Sequence, residues 1–203
     1  MRNFKFIVVR FNNLIFGKLI QKYGLSRLFS KIHLSQRNSF LEIGCGNGYA
    51  VRIIKDFFSP KYLIGVDIDK RRIEKAKYHK VKSKVENVKF RVADAQNLPF
   101  GNETFDAVFM FATLHHIPDW KKALYETSRV LKKGGYFILK EPLARFYKLP
   151  LSKYFDRPSS LFCKDILEEV LRSNGFKINY WSYRGWYKFL FPRSSIETVC
   201  QKI

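Results

Sequence analysis

From Ser39 onward the chain alternates short apolar runs with stretches in which apolar residues recur every three or four positions. Ser39–Ile43, Tyr62–Asp67 and Val88–Val92 are apolar and β-favouring, as strands buried on both faces are. Ala50, Ile53, Ile54 and Phe57 follow the first run at helical spacing, and Lys70–Lys80 predicts a helix after the second. Thr104–Phe111 predicts a fourth strand, Trp120–Leu131 a helix, Lys132-Lys133-Gly134-Gly135 a turn and Tyr136–Lys140 a fifth strand. After Pro142 an irregular stretch with Pro150 and Pro158 leads to a helix over Lys164–Ser173, with Ile166, Leu167, Val170 and Leu171 on one face, stopped by Asn174-Gly175. Phe176–Tyr183 and Ser195–Lys202 read as a final antiparallel pair. The alternation predicts an α/β fold: a doubly wound, mostly parallel seven-stranded sheet with an antiparallel last strand and helices on both faces. Ligands of such sheets lie in the crevice at the carboxyl ends of the strands.

The residues placed at those ends carry a pattern. Glu42-Ile43-Gly44-Cys45-Gly46-Asn47-Gly48 sets three alternate glycines at a strand-to-helix turn, where a ligand can touch main chain with no Cβ in the way. A dinucleotide fingerprint wants a glycine where Tyr49 stands, which demotes a nicotinamide cofactor. The second strand ends in Asp67, and an ionised Asp can accept both vicinal hydroxyls of a ribose. Asp69, two residues on, suits the N-cap of the next helix and leaves Asp67 for the ligand. Asp94 closes the third strand, either as an Asx-type turn or as a third ligand-facing acid.

The phrase acidic-x-Gly-x-Gly-x-Gly resembles motif I of the class I S-adenosylmethionine (SAM) dependent methyltransferases. Leu98-Pro99-Phe100, Phe105-Asp106-Ala107-Val108 and Leu114-His115-His116-Ile117-Pro118-Asp119 are similar to the L-P-F, F-D-x-V and L-H-H-x-x-D of the small-molecule subfamily, methyltransferase type 11, which includes ubiquinone/menaquinone-methyltransferase-like enzymes. The likeness is continuous from about Phe40 to Pro142. It implies a Rossmann-like fold and SAM as cofactor. Glu42 would anchor the loop or meet the cofactor's ammonium, and the backbone of Gly44, Cys45, Gly46 and Gly48 would approach it. Asp67 would hold the ribose, Ile68 and Ala95 would flank the adenine, and Asp94 would accept from its amino group. Phe111 would lie where the strand ends converge.

A length of 203 residues fits one domain. We expect a methyltransferase domain over 38–203, preceded by a segment over 1–37 in which Phe4, Val8, Phe11, Ile15 and Leu19 form a stripe at helical spacing; the resemblance implies a helical lid or cap there, with a membrane contact and a nucleic-acid arm as the alternatives. The formal charge of +21 is the second anomaly. No acid precedes Glu42, and ten basic residues between Lys70 and Arg91 face only Glu74 and Glu86. Such a field concentrates phosphate backbones or acidic lipid surfaces, so RNA and an anionic membrane stand beside a small-molecule acceptor as partners. Aromatics between Tyr180 and Phe191 interleave with basic residues, a pattern shared by strand cores and base-stacking surfaces. Cys45, Cys163 and Cys200 lack metal-ligand spacing, so no metal is expected, and their number suits a reducing cytoplasm. No apolar run reaches bilayer length and the amino-terminal segment lacks a signal-peptide core, so a cytoplasmic or membrane-peripheral protein is expected.

Methyl transfer from a sulfonium needs alignment and exclusion of water more than a protein nucleophile. An oxygen or nitrogen acceptor that must lose a proton needs a base, and His115 and His116 are the candidate catalytic residues. Phe111-Ala112-Thr113-Leu114 stands where exocyclic-amine methyltransferases resemble one another in an Asn/Asp-Pro-Pro-aromatic phrase, and no cysteine is placed as in the cytosine C5 enzymes. A small, amphiphilic acceptor such as a quinone or isoprenoid-like precursor is the leading expectation. RNA modified by other chemistry is the main rival, since wobble-uridine carboxyl methyltransferases share an L-P-F and a His-His phrase. A non-catalytic SAM-binding protein is the third reading.

Overall fold

The computed structural model describes residues 23–32, 34, 38–82, 86–144, 158–160, 162–184 and 195–203. The stripe from Phe4 to Leu19 and the aromatics from Trp186 to Phe191 lie outside the described residues. The strands are β1 (Ser39–Ile43), β2 (Tyr62–Asp67), β3 (Val88–Val92), β4 (Phe105–Phe111), β5 (Leu131–Pro142), β6 (Phe176–Arg184) and β7 (Ser195–Lys202). The helices are α1 (23–29), α2 (Tyr49–Phe58), α3 (Lys70–Lys82), α4 (Trp120–Val130) and α5 (Lys164–Ser173).

One sheet holds the strands in the order β3-β2-β1-β4-β5-β7-β6. β1 to β5 pair in parallel, and β7 runs antiparallel to both β5 and β6. The chain steps outward from β1 to β3 and then returns to β4 on the other side of β1. That reversal makes a switch point, and the loops leaving β1 and β4 part there to open a crevice.

Alternation along the central strands feeds two cores, one on each face. Leu41, Ile43, Val108, Met110 and Leu139 join Leu124 of α4 and Leu167 and Leu171 of α5. Phe40, Phe109 and Ile138 face the other way, onto Leu28 and Phe29 of α1 and Val51 and Ile54 of α2. Phe29 is fully buried and meets the rings of Phe57, Phe58, Phe109 and Phe111 at 5.1–6.2 Å between centroids. Arg27 ties the same helix to the sheet, pairing with Glu197 of β7 and donating to the Tyr180 hydroxyl of β6 at 3.1 Å.

The junction of α4 and β5 departs most from the pattern-based reading. α4 ends at Val130, and β5 begins at Leu131 rather than Tyr136. The Lys132–Gly135 segment is therefore a kink inside a strand instead of a turn before one. Gly134 does bend the chain (φ 74°), yet Leu131 already pairs with Phe105, and the ladder resumes at Ala107–Tyr136 after a register shift. A ladder partner on each side turned the glycines into a bulge.

Candidate functional site

The loop after β1 is set by its neighbours. Gly44 (φ +74°) and Cys45 both donate their N–H to the Val66 carbonyl at 2.8 Å. A Cβ on Gly44 would lie 2.1 Å from Thr113 Oγ1, in the loop after β4, so this glycine permits the two loops at the switch point to touch. A Cβ on Gly48 would meet the Phe90 ring at 2.8 Å. Gly46 differs: a Cβ there would meet nothing nearer than the Arg72 guanidinium, at 4.0 Å. Of the three glycines expected to open the turn, two serve internal packing and Gly46 faces an opening among the described residues.

Asp67 stands beside it, 7% exposed. Its Oδ2 accepts from the Gly46 N–H at 2.9 Å and its Oδ1 from the Asp69 N–H at 2.9 Å. Each carboxylate oxygen keeps a second lone pair for a ligand hydroxyl. The next residue, Ile68, holds its apolar side chain 69% exposed at the rim. Asp69 caps α3 as expected, accepting from the Arg71 N–H at 2.8 Å, and the Arg71 guanidinium at 3.1 Å helps hold its carboxyl below the usual range.

Glu42 is buried, and its Oε2 has no hydrogen-bond partner among the described residues. Burial, reinforced by the charge of Asp67, pushes its carboxyl well above the ordinary carboxylate range. Burial likewise pushes the Cys45 thiol up, so it is no thiolate nucleophile. A buried carboxyl with an unmet oxygen beneath an open glycine fits a cationic ligand group such as the cofactor's ammonium.

Asp94 forms the Asx-type turn, its Oδ1 accepting from the Gln96 N–H at 2.9 Å, with Ala95 buried beside it. Gln96 in turn accepts from the Asp119 N–H at 3.2 Å, which links the loops after β3 and β4. Phe111 is half-buried against Phe29 and Phe109, nearer to the core than to an open rim. Ala112, a non-glycine residue, adopts φ 49° as the chain leaves β4.

Sequence reasoning missed the residue that organises this last loop. Glu141, fully buried near the end of β5, accepts from the Thr113 N–H at 2.7 Å and the Leu114 N–H at 2.9 Å, and faces His115 Nδ1 at 2.7 Å. The signal was available: Glu141 ends an apolar run just as Asp67 and Asp94 do. His115 is 5% exposed, while His116 is exposed, and their ring centroids lie 4.0 Å apart. Ser159 and Ser160 donate their N–H groups to the His115 carbonyl at 2.9 and 3.1 Å, bringing the segment before α5 onto the same loop. Among the described residues no cluster of three His, Cys, Asp or Glu could hold a metal.

A switch point, an open glycine and acids at consecutive strand ends define a doubly wound α/β protein that binds a nucleoside-containing cofactor. Residues 41–139 match the family described as a methyltransferase domain, a match that supports a class I SAM-dependent methyltransferase. It is 29% identical over 150 residues to O-methyltransferase cnsE of Penicillium expansum, covering 71% of this chain and 54% of that one. It is 32% identical over 106 residues to the fatty-acid O-methyltransferase of Mycolicibacterium smegmatis, covering 52% and 38%. The solved structure of PH0226 protein from Pyrococcus horikoshii matches with a TM-score of 0.73 at 26% identity, covering 88% of both chains. The matched part spans about half or less of these curated relatives' length.

Proposed function

We propose that this chain transfers the methyl group of SAM to an oxygen of a small, amphiphilic or lipid-like acceptor. The observation that carries the reading is the open backbone at Gly46, flanked by buried Glu42 and Asp67 and joined through the Gly44–Thr113 contact to the His115–His116 turn. When bound, SAM supplies a methyl group on a sulfonium, a leaving group that needs no further activation. Glu42 meets its ammonium and Asp67 its ribose hydroxyls. Ile68 and Ala95 flank the adenine, Asp94 accepts from the adenine amino group, and the backbone from Gly44 to Gly48 lies along the methionine portion, with Phe111 behind it.

The acceptor's proton is handled by the histidine turn. A His115 ring that donates Nδ1–H to Glu141 would carry its basic lone pair on Nε2, the tautomer a general base needs. His116, exposed and against that ring, is the partner at the rim. The names of the relatives, an O-methyltransferase and a fatty-acid O-methyltransferase, support an oxygen acceptor and a lipid-like one. A cytoplasmic or membrane-peripheral location accords with the absence, among the described residues, of any helix long and apolar enough to cross a membrane.

The charge of +21 favours RNA as the second reading. Both are tested by incubating the protein with labelled SAM and separated lipid, small-metabolite and RNA extracts. Label in the lipid or small-metabolite fraction is the expected outcome. Label in RNA alone replaces the acceptor class, and tight SAM binding with no label anywhere makes the chain a non-catalytic SAM-binding protein.

A further inference from the structure

The surface formed by α3 and the edge strand β3 has no part in the chemistry above. Between Asp69 and Val92 the described residues carry nine Lys or Arg side chains against three acids. Asp69 and Glu74 are already engaged by Arg71 and Lys77. The buried side of α3 is narrow, resting on Ile73 and Ala76. On its outer side Lys70, Arg71, Lys75 and Tyr78 are all exposed. Lys70 and Lys75 make no ion pair among the described residues. Tyr78 and Val81 lie among these cations at 65% and 76% exposure.

Unpaired like charges on one helix face repel one another, and two large exposed apolar side chains contribute nothing to the core. A partner that offers dispersed negative charge over an apolar layer satisfies both features. We propose that the outer face of α3 docks on an anionic lipid bilayer, with the lysine ammonium groups at phosphate level and Tyr78 and Val81 entering the interface. The proposal rests on the lipid-like acceptor reading. α3 begins directly after Asp67, Ile68 and Asp69, so the docked face ends at the crevice rim and holds the β2 corner of the site beside a bilayer-borne acceptor. Along α3 lysine outnumbers arginine five to two, and point charges of that kind suit mobile headgroups better than bidentate reading of fixed phosphates. Val81 has a use against lipid and none against a phosphate backbone.

The test is co-sedimentation of the full chain with vesicles of phosphatidylcholine alone and of phosphatidylcholine mixed with phosphatidylglycerol. Binding is expected to the mixed vesicles only. Lys70→Gln/Lys75→Gln should lower partitioning about 30-fold, roughly fivefold per charge removed. Tyr78→Ser/Val81→Ser should lower what survives in high salt, and SAM affinity should be unchanged in both variants, which shows them folded. Failure of the wild-type chain to bind, equal binding to neutral vesicles, or variants that bind like wild type would overturn the proposal. So would tighter binding to polyuridylate than to mixed vesicles, weakened by the same substitutions, which assigns the surface to RNA. Vesicle binding absent while label still reaches lipid sinks the docking alone; label found only in RNA sinks the acceptor reading.

Discussion

Glu42 shows how far surroundings change one side chain. Its carboxyl, with an ordinary value of 4.5, is raised by burial and by Asp67, so the native state keeps the proton to higher pH than the unfolded chain does. The resulting stability is present below the unfolded value and is lost as pH rises through the native one. Glu42→Gln should therefore flatten the fall in stability that urea unfolding measures as pH rises above the ordinary carboxylate range. A fall as steep as in wild type would place its origin elsewhere. Asp67→Ala should weaken SAM binding by at least about 1 kcal/mol in calorimetry, because it removes the ribose acceptor and also releases the Gly46 N–H that shapes the open turn. Unchanged affinity would take Asp67 out of the site. An acid at a strand end was readable in the sequence for both residues, but that Gly44 is reserved for Thr113 while Gly46 stays open was not. That difference depends on which loop lies opposite, about seventy positions away in the chain.

Each loop at the crevice is held by an element distant in sequence. The turn Leu114–His116 hangs on Glu141 of β5, and the strand pairing Phe111–Lys140 brings them together. Glu141→Ala leaves the Thr113 and Leu114 N–H groups and His115 without their acceptor in a buried place, and should cost about 3 kcal/mol of stability. Urea unfolding measures that cost. Nitrogen NMR of His115 should at the same time show loss of the single tautomer, which a merely local loosening of the backbone would not produce. Strand and helix positions were legible because their apolar periodicity is local. The start of β5 was not: Lys132–Gly135 has turn composition, and pairing with β4 overrode it.

For the molecule as a whole, binding in a crevice that joins β1, β2, β3 and β4 should stabilise the folded state cooperatively. SAM at a hundred times its dissociation constant should add about 2.7 kcal/mol and raise Tm by roughly 5–10 °C for a chain of this size. A scan with S-adenosylhomocysteine as well as SAM checks this, and no shift with either ligand would remove the cofactor from the fold. The doubly wound order, the antiparallel end of the sheet and the acids at its strand ends could all be read from the chain, because periodicity, glycine spacing and strand-end chemistry are written within a few residues of one another. What remained undetermined until the strands were paired was which groups meet. Burial turned Glu42 into a proton-holding carboxyl, the switch point pressed Thr113 against Gly44, and β5 delivered Glu141 to His115. Those facts depend on contacts between segments far apart in the chain, and desolvation and loop-to-loop fit exist only after the sheet has closed around them.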